Sequence, residues 1–218
     1  MSALQPALRQ SLFIAGTDTG VGKTWVATRL LQALSATGIR VAAMKPVAAG
    51  AVPGAQGPRN EDALALMAAA NVPLPYELVN PCCLLAATSP HLAARREGRV
   101  VDMDTIKSAF AQIRLVSDVI IVEGAGGWLA PIGDPPGPGT IGPTLQEIAL
   151  SLGLPVLLVV GIRLGCISHA LLTAAAIERA GLPLAGWIAN PIDPGFADEA
   201  ENVQSLSLRL PAPRLSVS

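Results

Sequence analysis

Five short runs of this chain are apolar almost from end to end: SLFIAG at 11–16, RVAAMK at 40–45, SDVIIVE at 117–123, LPVLLVVG at 154–161 and PLAGWIAN at 183–190. A strand with one wet face alternates apolar and polar residues, whereas a strand covered on both faces does not. These runs therefore predict parallel strands held between layers of helix. The segments between them carry helical signals. Residues 23–36 stop short of Gly38, 60–70 open on Asn60, 102–115 open on Asp102, and 167–180 end before Gly181. Strand and helix in alternation mean βαβ units, so the expected fold is α/β, a doubly wound, mostly parallel sheet with helices on both faces. A length of 218 residues suits one domain over 1–218. No internal repeat or interdomain linker interrupts it, and GDPPGPGTIGP at 133–143 reads as an exposed, proline-stiffened loop.

In such sheets ligands bind beyond the carboxyl ends of the strands. The loops opening at Gly16, Lys45, Glu123, Gly161 and Asn190 should thus share one rim. The first of them is GTDTGVGKT, from Gly16 to Thr24. Set against the phosphate-binding pattern G-x-x-x-x-G-K-[ST], it ends correctly on Gly22, Lys23 and Thr24, but the opening glycine falls on Thr17. The context is nonetheless that of a P-loop: a buried strand, a glycine-rich turn, Gly-Lys-Thr and a helix. Glycines let backbone N–H groups turn toward phosphate oxygens, and the helix start adds partial positive charge. Lys23 can reach the terminal phosphates, and the Thr24 hydroxyl can ligate magnesium. The fold is accordingly expected to be P-loop NTPase-like.

Two further rim loops carry charge. Lys45 ends the second strand in MKPVAAG, with Pro46 breaking the hydrogen-bond ladder. A lysine there can neutralise a transferring phosphoryl group or a carboxylated substrate; the alternative is a solvated surface lysine. Glu123 ends the third strand ahead of GAGGW. A carboxylate at that point can hold magnesium opposite Thr24, while the glycines admit a substrate close to the backbone. Asp62 in NEDALAL is read in two ways, as a second metal carboxylate or as an ordinary acid in the first turn of a helix.

Other classes find little support. A net charge of −1 offers no basic field for a nucleic-acid backbone. The most apolar stretch, 154–162, is too short to cross a bilayer, and the N-terminal MSALQPALRQ has no signal-type apolar run, so a cytoplasmic location is expected. Cys82, Cys83 and Cys166 form no C-x-x-C pair and are expected to be buried thiols. His91 and His169 have no zinc-ligand spacing.

Taken in order, GTDTGVGKT, KPVAAG, NEDALAL, NPCCLLAATSPHLAA, VEGAGGWLAP, GIRLGCISHALLT and LAGWIAN resemble dethiobiotin synthetase across roughly residues 11–191. The resemblance implies an ATP-dependent, homodimeric ligase of biotin biosynthesis that closes the ureido ring of dethiobiotin from 7,8-diaminononanoate and CO2 (or bicarbonate). It implies Lys45 as the active-site lysine, with Lys23 and Thr19 beside it, and Mg2+ held by Thr24, Asp62 and Glu123. Gly20, Val21, Gly22, Lys23, Thr24 and Trp25 would cradle ATP. Glu123, Gly124, Ala125 and Gly126 would line the cleft shared with the substrate, and Asn190 would face the adenine with Pro191 beside it in the nucleotide-binding set.

The Thr19 hydroxyl would point at the diamine. The helix start at Gly165, Cys166 and Ile167 would offer free amides to the substrate carboxylate, in the active site of the partner subunit. The chain departs from the family pattern in three places. Ala49 stands where a hydroxyl residue is common in the substrate site, the 133–143 loop is long, and the sequence stops at LPAPRLSVS, short of a further strand that helps enclose the adenine. Two alternatives stay open. One is the nucleotide domain of a cobalamin-pathway amidoligase, for which a glutamine-hydrolysing domain is missing. The other is a partitioning-type switch ATPase, whose loop typically has lysine where this chain has Asp18.

Overall fold

A computed structural model describes residues 5–217. The first four residues and Ser218 of the expected domain lie outside the described residues. After a 3-10 turn at Pro6–Leu8, the elements run β1 Leu12–Gly16, α1 Lys23–Ser35, β2 Val41–Met44, β3 Val47–Ala48, α2 Glu61–Ala69, α3 Tyr76–Val79 and β4 Cys82–Cys83. They continue with α4 Pro90–Arg96, α5 Met103–Arg114, β5 Val119–Glu123, α6 Leu145–Leu152, β6 Val156–Ile162, α7 Cys166–Arg179, β7 Leu184–Pro191 and α8 Glu199–Ser207.

The main sheet has the order β2-β5-β1-β6-β7, and every pairing in it is parallel. β1, which feeds the P-loop, sits at the centre, where β5 and β6 hold it in register from both sides (Ile14 against Glu123 and Leu157). Successive residues of β1 point to opposite faces. Leu12 and Ile14 pack with Leu30 and Leu34 of α1, while Phe13 and Ala15 pack with Ile106 of α5, Ile148 of α6 and Ala170 of α7. That double covering is why the strands read as continuous apolar runs. The aromatic pair Phe13 and Trp128 meets edge to face, with centroids 6.3 Å apart, directly under the rim.

The four expected helices form within one or two residues of their expected bounds. α2 is capped by the Asn60 side chain accepting from Ala63 N at 3.2 Å, and α1 starts after Gly22 at φ +89°, a conformation suited to glycine. The small parallel sheet of β3 and β4 and the helices α3, α4, α6 and α8 were not expected. Both sheet edges are covered. Asn71 Oδ1 accepts from Val41 N beside β2, and beyond β7 the C-terminal segment exchanges two bonds with Trp187, from Trp187 N to Pro213 O and from Leu215 N to Trp187 O. The 133–143 loop is largely exposed, yet it is pinned. Pro131 bridges Thr144 in antiparallel fashion, and Asp134 forms an ion pair with Arg95 of α4.

Candidate active site

β1, β2 and β5 end side by side, so their last residues and following loops meet in a cleft of about 1010 Å³. Its lining includes Thr19, Lys23, Thr24, Lys45, Asp62 and Glu123. Four of these make one connected set. Thr24 Oγ1 donates to Glu123 Oε1 at 2.8 Å, and Lys45 Nζ donates to the same oxygen at 2.7 Å and to Asp62 Oδ2 at 2.9 Å. Lys45 is 4% exposed and Glu123 1%, so neither is a solvated surface charge. Asp62 comes from the first turn of α2, as its reading as a helix acid expects, and the capped start of that helix turns it toward Lys45.

The electrostatics follow from burial. For Lys45, burial favours loss of the proton, but the Glu123 and Asp62 carboxylates outweigh it and hold the ammonium charged. Burial also disfavours the charge on Asp62, and Lys45, by charge and hydrogen bond, keeps that carboxylate ionised below its usual range. Lys23 differs. Burial brings its pKa down from 10.5 to about 8; the Glu123 carboxylate opposes the shift and the nearby Lys45 charge adds to it. Its one hydrogen bond among the described residues is to the Asp18 carbonyl at 3.1 Å. Lys23 lines the cleft from the first position of α1.

Magnesium fits the donor set. Thr24, Asp62 and Glu123 supply hard oxygens, and Glu123 Oε2 is buried with no hydrogen-bond partner among the described residues. No group of three or more His, Cys, Asp or Glu gathers there among the described residues, so phosphate oxygens and water would complete the shell. The Lys45 ammonium provides the positive charge between the two carboxylates.

The remaining expected site residues are distributed as follows. Gly20, Gly22, Gly124, Ala125, Gly126 and Ala49 line the cleft. Gly126, at φ +77°, lies close to Thr19, since a Cβ built on it would be 3.6 Å from Thr19 Oγ1. Val21 is buried, and its carbonyl accepts from Asn190 Nδ2 at 2.8 Å. Asn190 therefore props the P-loop, neither it nor Pro191 lines the cleft, and β7 continues one residue past Asn190 to Pro191. Trp25 is 49% exposed on α1 and stacks under Arg29 instead of facing the cleft. Of the helix-start amides at Gly165, Cys166 and Ile167, that of Cys166 is already engaged by the Arg163 carbonyl at 3.0 Å. None of the three lines the cleft; α7 instead contributes Leu172, Thr173 and Ala176.

Sequence reasoning missed two features. Arg163 donates to Asp18 Oδ2 at 2.7 Å while Asp18 Oδ1 accepts from Thr19 N, so the loop that follows β6 braces the P-loop. The floor formed by Trp128, Leu129 and Pro131 and the wall at 87–90 were legible only as members of longer motifs.

Comparison with known proteins decides among the P-loop families that could build such a cleft. A family model described as AAA domain matches residues 10–217. The chain is 47% identical over 205 residues to the ATP-dependent dethiobiotin synthetase BioD of Aliivibrio fischeri (strain MJ11), covering 94% of this chain and 88% of that protein. The chain belongs to the dethiobiotin synthetase family. The family's protein from Aliivibrio salmonicida (strain LFI1238) is 44% identical, with 94% and 87% covered.

Solved structures agree on the fold. The MinC:MinD cell division protein complex of Aquifex aeolicus superposes with TM-score 0.55 at 17% identity, covering 96% of this chain and 82% of that one. The signal recognition particle receptor FtsY of Elizabethkingia anophelis in complex with GDP gives TM-score 0.55 at 19% identity, where this chain spans 96% of its own length and 57% of the receptor's. At these identities the likeness is one of fold. It bears out the doubly wound, P-loop NTPase-like sheet.

Proposed function

We propose that this chain is an ATP-dependent dethiobiotin synthetase, a cyclo-ligase acting on 7,8-diaminononanoate and CO2. The observation that carries the reading is the hydrogen-bonded set of Thr24, Glu123, Lys45 and Asp62 beside the P-loop, with Lys45 and Glu123 buried, in a chain nearly half identical to enzymes of that name. It acts as one ATP-binding domain in a cytoplasmic homodimer, with the Gly165 and Ile167 amides at the start of α7 offered to the partner's substrate.

One amine of the substrate adds to CO2 and loses a proton, giving a carbamate. A carbamate oxygen then attacks the γ-phosphorus of ATP and expels ADP, leaving a carbamic-phosphoric anhydride. The second amine attacks the carbonyl carbon, and the C–O bond breaks to release phosphate and close the ring. Carbamate and triphosphate repel, so the chain's task is to bring them together. The amides from Gly20 to Thr24 hold the phosphates, Lys23 neutralises the terminal ones, and Lys45 sits where the carbamate must approach them. Thr19, across from Gly126, orients the diamine. Bound Mg2+, held by Thr24, Asp62 and Glu123, would supply charge neutralisation between the phosphate oxygens.

Isotope transfer tests this order of bonds. With CO2 labelled in both oxygens by 18O, one labelled oxygen should leave in each phosphate released, because the attacking carbamate oxygen departs with phosphorus. Unlabelled phosphate accompanying dethiobiotin would refute the anhydride. A partitioning-type switch would instead release phosphate without regard to the diamine.

A further inference from the structure

Behind the cleft lies a buried polar network that the reaction does not touch. Tyr76 of α3, Asn60, which caps α2, and Asn80 are 7%, 5% and 2% exposed. The proton count fixes its direction. The Tyr76 hydroxyl accepts from Asn60 N at 2.7 Å and spends its one hydrogen on Asn80 Oδ1 at 2.9 Å, so the thiol of Cys83, 3.4 Å away, is the donor in that contact. Asn80 Nδ2 then donates to the Lys45 carbonyl at 2.6 Å, and Lys45 N itself donates to Val79 O at 2.7 Å. On the other arm, Asn60 Oδ1 accepts from Ala63 N, setting the first turn that carries Asp62, and Asn60 Nδ2 reaches Ala49 O at 3.4 Å. The Arg59 guanidinium lies over the Tyr76 ring, 4.1 Å from its centroid, and closes the network from outside.

Lys45 and Asp62 come from different elements, the end of β2 and the start of α2. The segment joining them contains loop residues with glycines at 50, 54 and 57, and cannot by itself set their spacing. One hydroxyl touches both arms. We infer that Tyr76 is a positioning residue for ring closure: its hydroxyl, through Asn80 and Asn60, fixes where the Lys45 ammonium and the Asp62 carboxylate stand relative to the P-loop and to Ala49. The inference rests on the proposed roles of Lys45 and Asp62. Tyr76 itself does not line the cleft. Removing its oxygen leaves Asn60 N and Asn80 Oδ1 buried without partners, and a positional error of about 1 Å at reacting groups can cost about a hundredfold in rate.

The test is steady-state kinetics of dethiobiotin formation on Tyr76→Phe, Asn80→Ala, Lys45→Ala and a control, Ile113→Val. Ile113 is buried near the end of α5 and takes no part in the network's hydrogen bonds, so its loss of a methylene lowers stability without removing any of them. Tyr76→Phe should lose tenfold to a hundredfold in kcat with KM for ATP within twofold, and Ile113→Val should keep its kcat. Asn80→Ala, which cuts only the Lys45 arm, should fall in the same direction and carries the test if Tyr76→Phe does not fold. Near-wild-type kcat in the folded variants, or an equal loss in Ile113→Val, would overturn the inference. Lys45→Ala separates the two claims. If it retains turnover, the role of Lys45 is wrong; if it is dead while Tyr76→Phe and Asn80→Ala are active, only the positioning role fails.

Discussion

Lys23 should make the ligand-free protein less stable than it would be without a charge there. Burial lowers its pKa from 10.5 to about 8, a difference of about 2.5 units, and each unit is worth about 1.36 kcal/mol, so holding the ammonium in the folded chain costs about 3 kcal/mol. Below pH 8 both folded and unfolded chains are protonated and the full cost is felt. Between pH 8 and 10.5 the unfolded chain holds more protons, so stability rises with pH, and above 10.5 the cost is gone. Lys23→Met keeps most of the aliphatic stem and removes the charge, but loses the hydrogen bond to Asp18 O, worth about 1 kcal/mol. Lys23→Met should therefore be about 2 kcal/mol more stable than the parent at pH 7, or about 4–8 °C in Tm for a chain of this size, while losing ATP turnover. Urea unfolding of both proteins at pH 7 and pH 9.5 reads it directly, with the gap narrowing at the higher pH. A variant less stable than the parent at pH 7, or a gap that widens with pH, would refute the reasoning.

Gly22→Ala forces a left-handed backbone on alanine and drives a Cβ into the Asn190 amide. Nucleotide affinity should drop at least tenfold by titration calorimetry, with about 1–3 kcal/mol lost from stability. Asn190→Ala removes the prop under Val21 O and should cost about 1 kcal/mol in urea unfolding, with KM for ATP raised severalfold. Glu123→Gln leaves a neutral amide where Oε2 lacks a partner, and should shift half-saturating Mg2+ upward at least tenfold in a nucleotide-binding titration. Ala49→Ser restores a hydroxyl to the cleft wall and should lower KM for 7,8-diaminononanoate severalfold with kcat little changed.

What could be read from the sequence was whatever has a strong local cause. Doubly covered strands advertise themselves as apolar runs, and Gly-Lys-Thr after such a run marks a phosphate loop, so β1, β2, β5, β6 and β7 and the residues at their carboxyl ends were legible. The meeting of Lys45 and Glu123 with the loop that carries Thr24 followed from parallel topology, because neighbouring strands must bring their ends together, whereas Asp62, at the start of α2, was singled out only by the family resemblance. The helix α6 was hidden because its capping box of Thr144 and Glu147 follows a run of Pro and Gly that reads as loop. β3 and β4 are too short to show any period. The resemblance assigned Asn190 to the adenine, and its amide nitrogen also donates to Val21 O, a contact across 169 positions that no local pattern encodes. The pairing of Arg163 with Asp18 and the links through Tyr76 are equally long-range, and residue type alone gave no reason to connect them.

Formation of one product tests the proposed activity most directly. Purified protein incubated with ATP, Mg2+, bicarbonate and 7,8-diaminononanoate should yield dethiobiotin, detected by mass, in equal amount to ADP and only when the diamine is present. ADP formed at the same rate with and without the diamine, and no dethiobiotin, would contradict it.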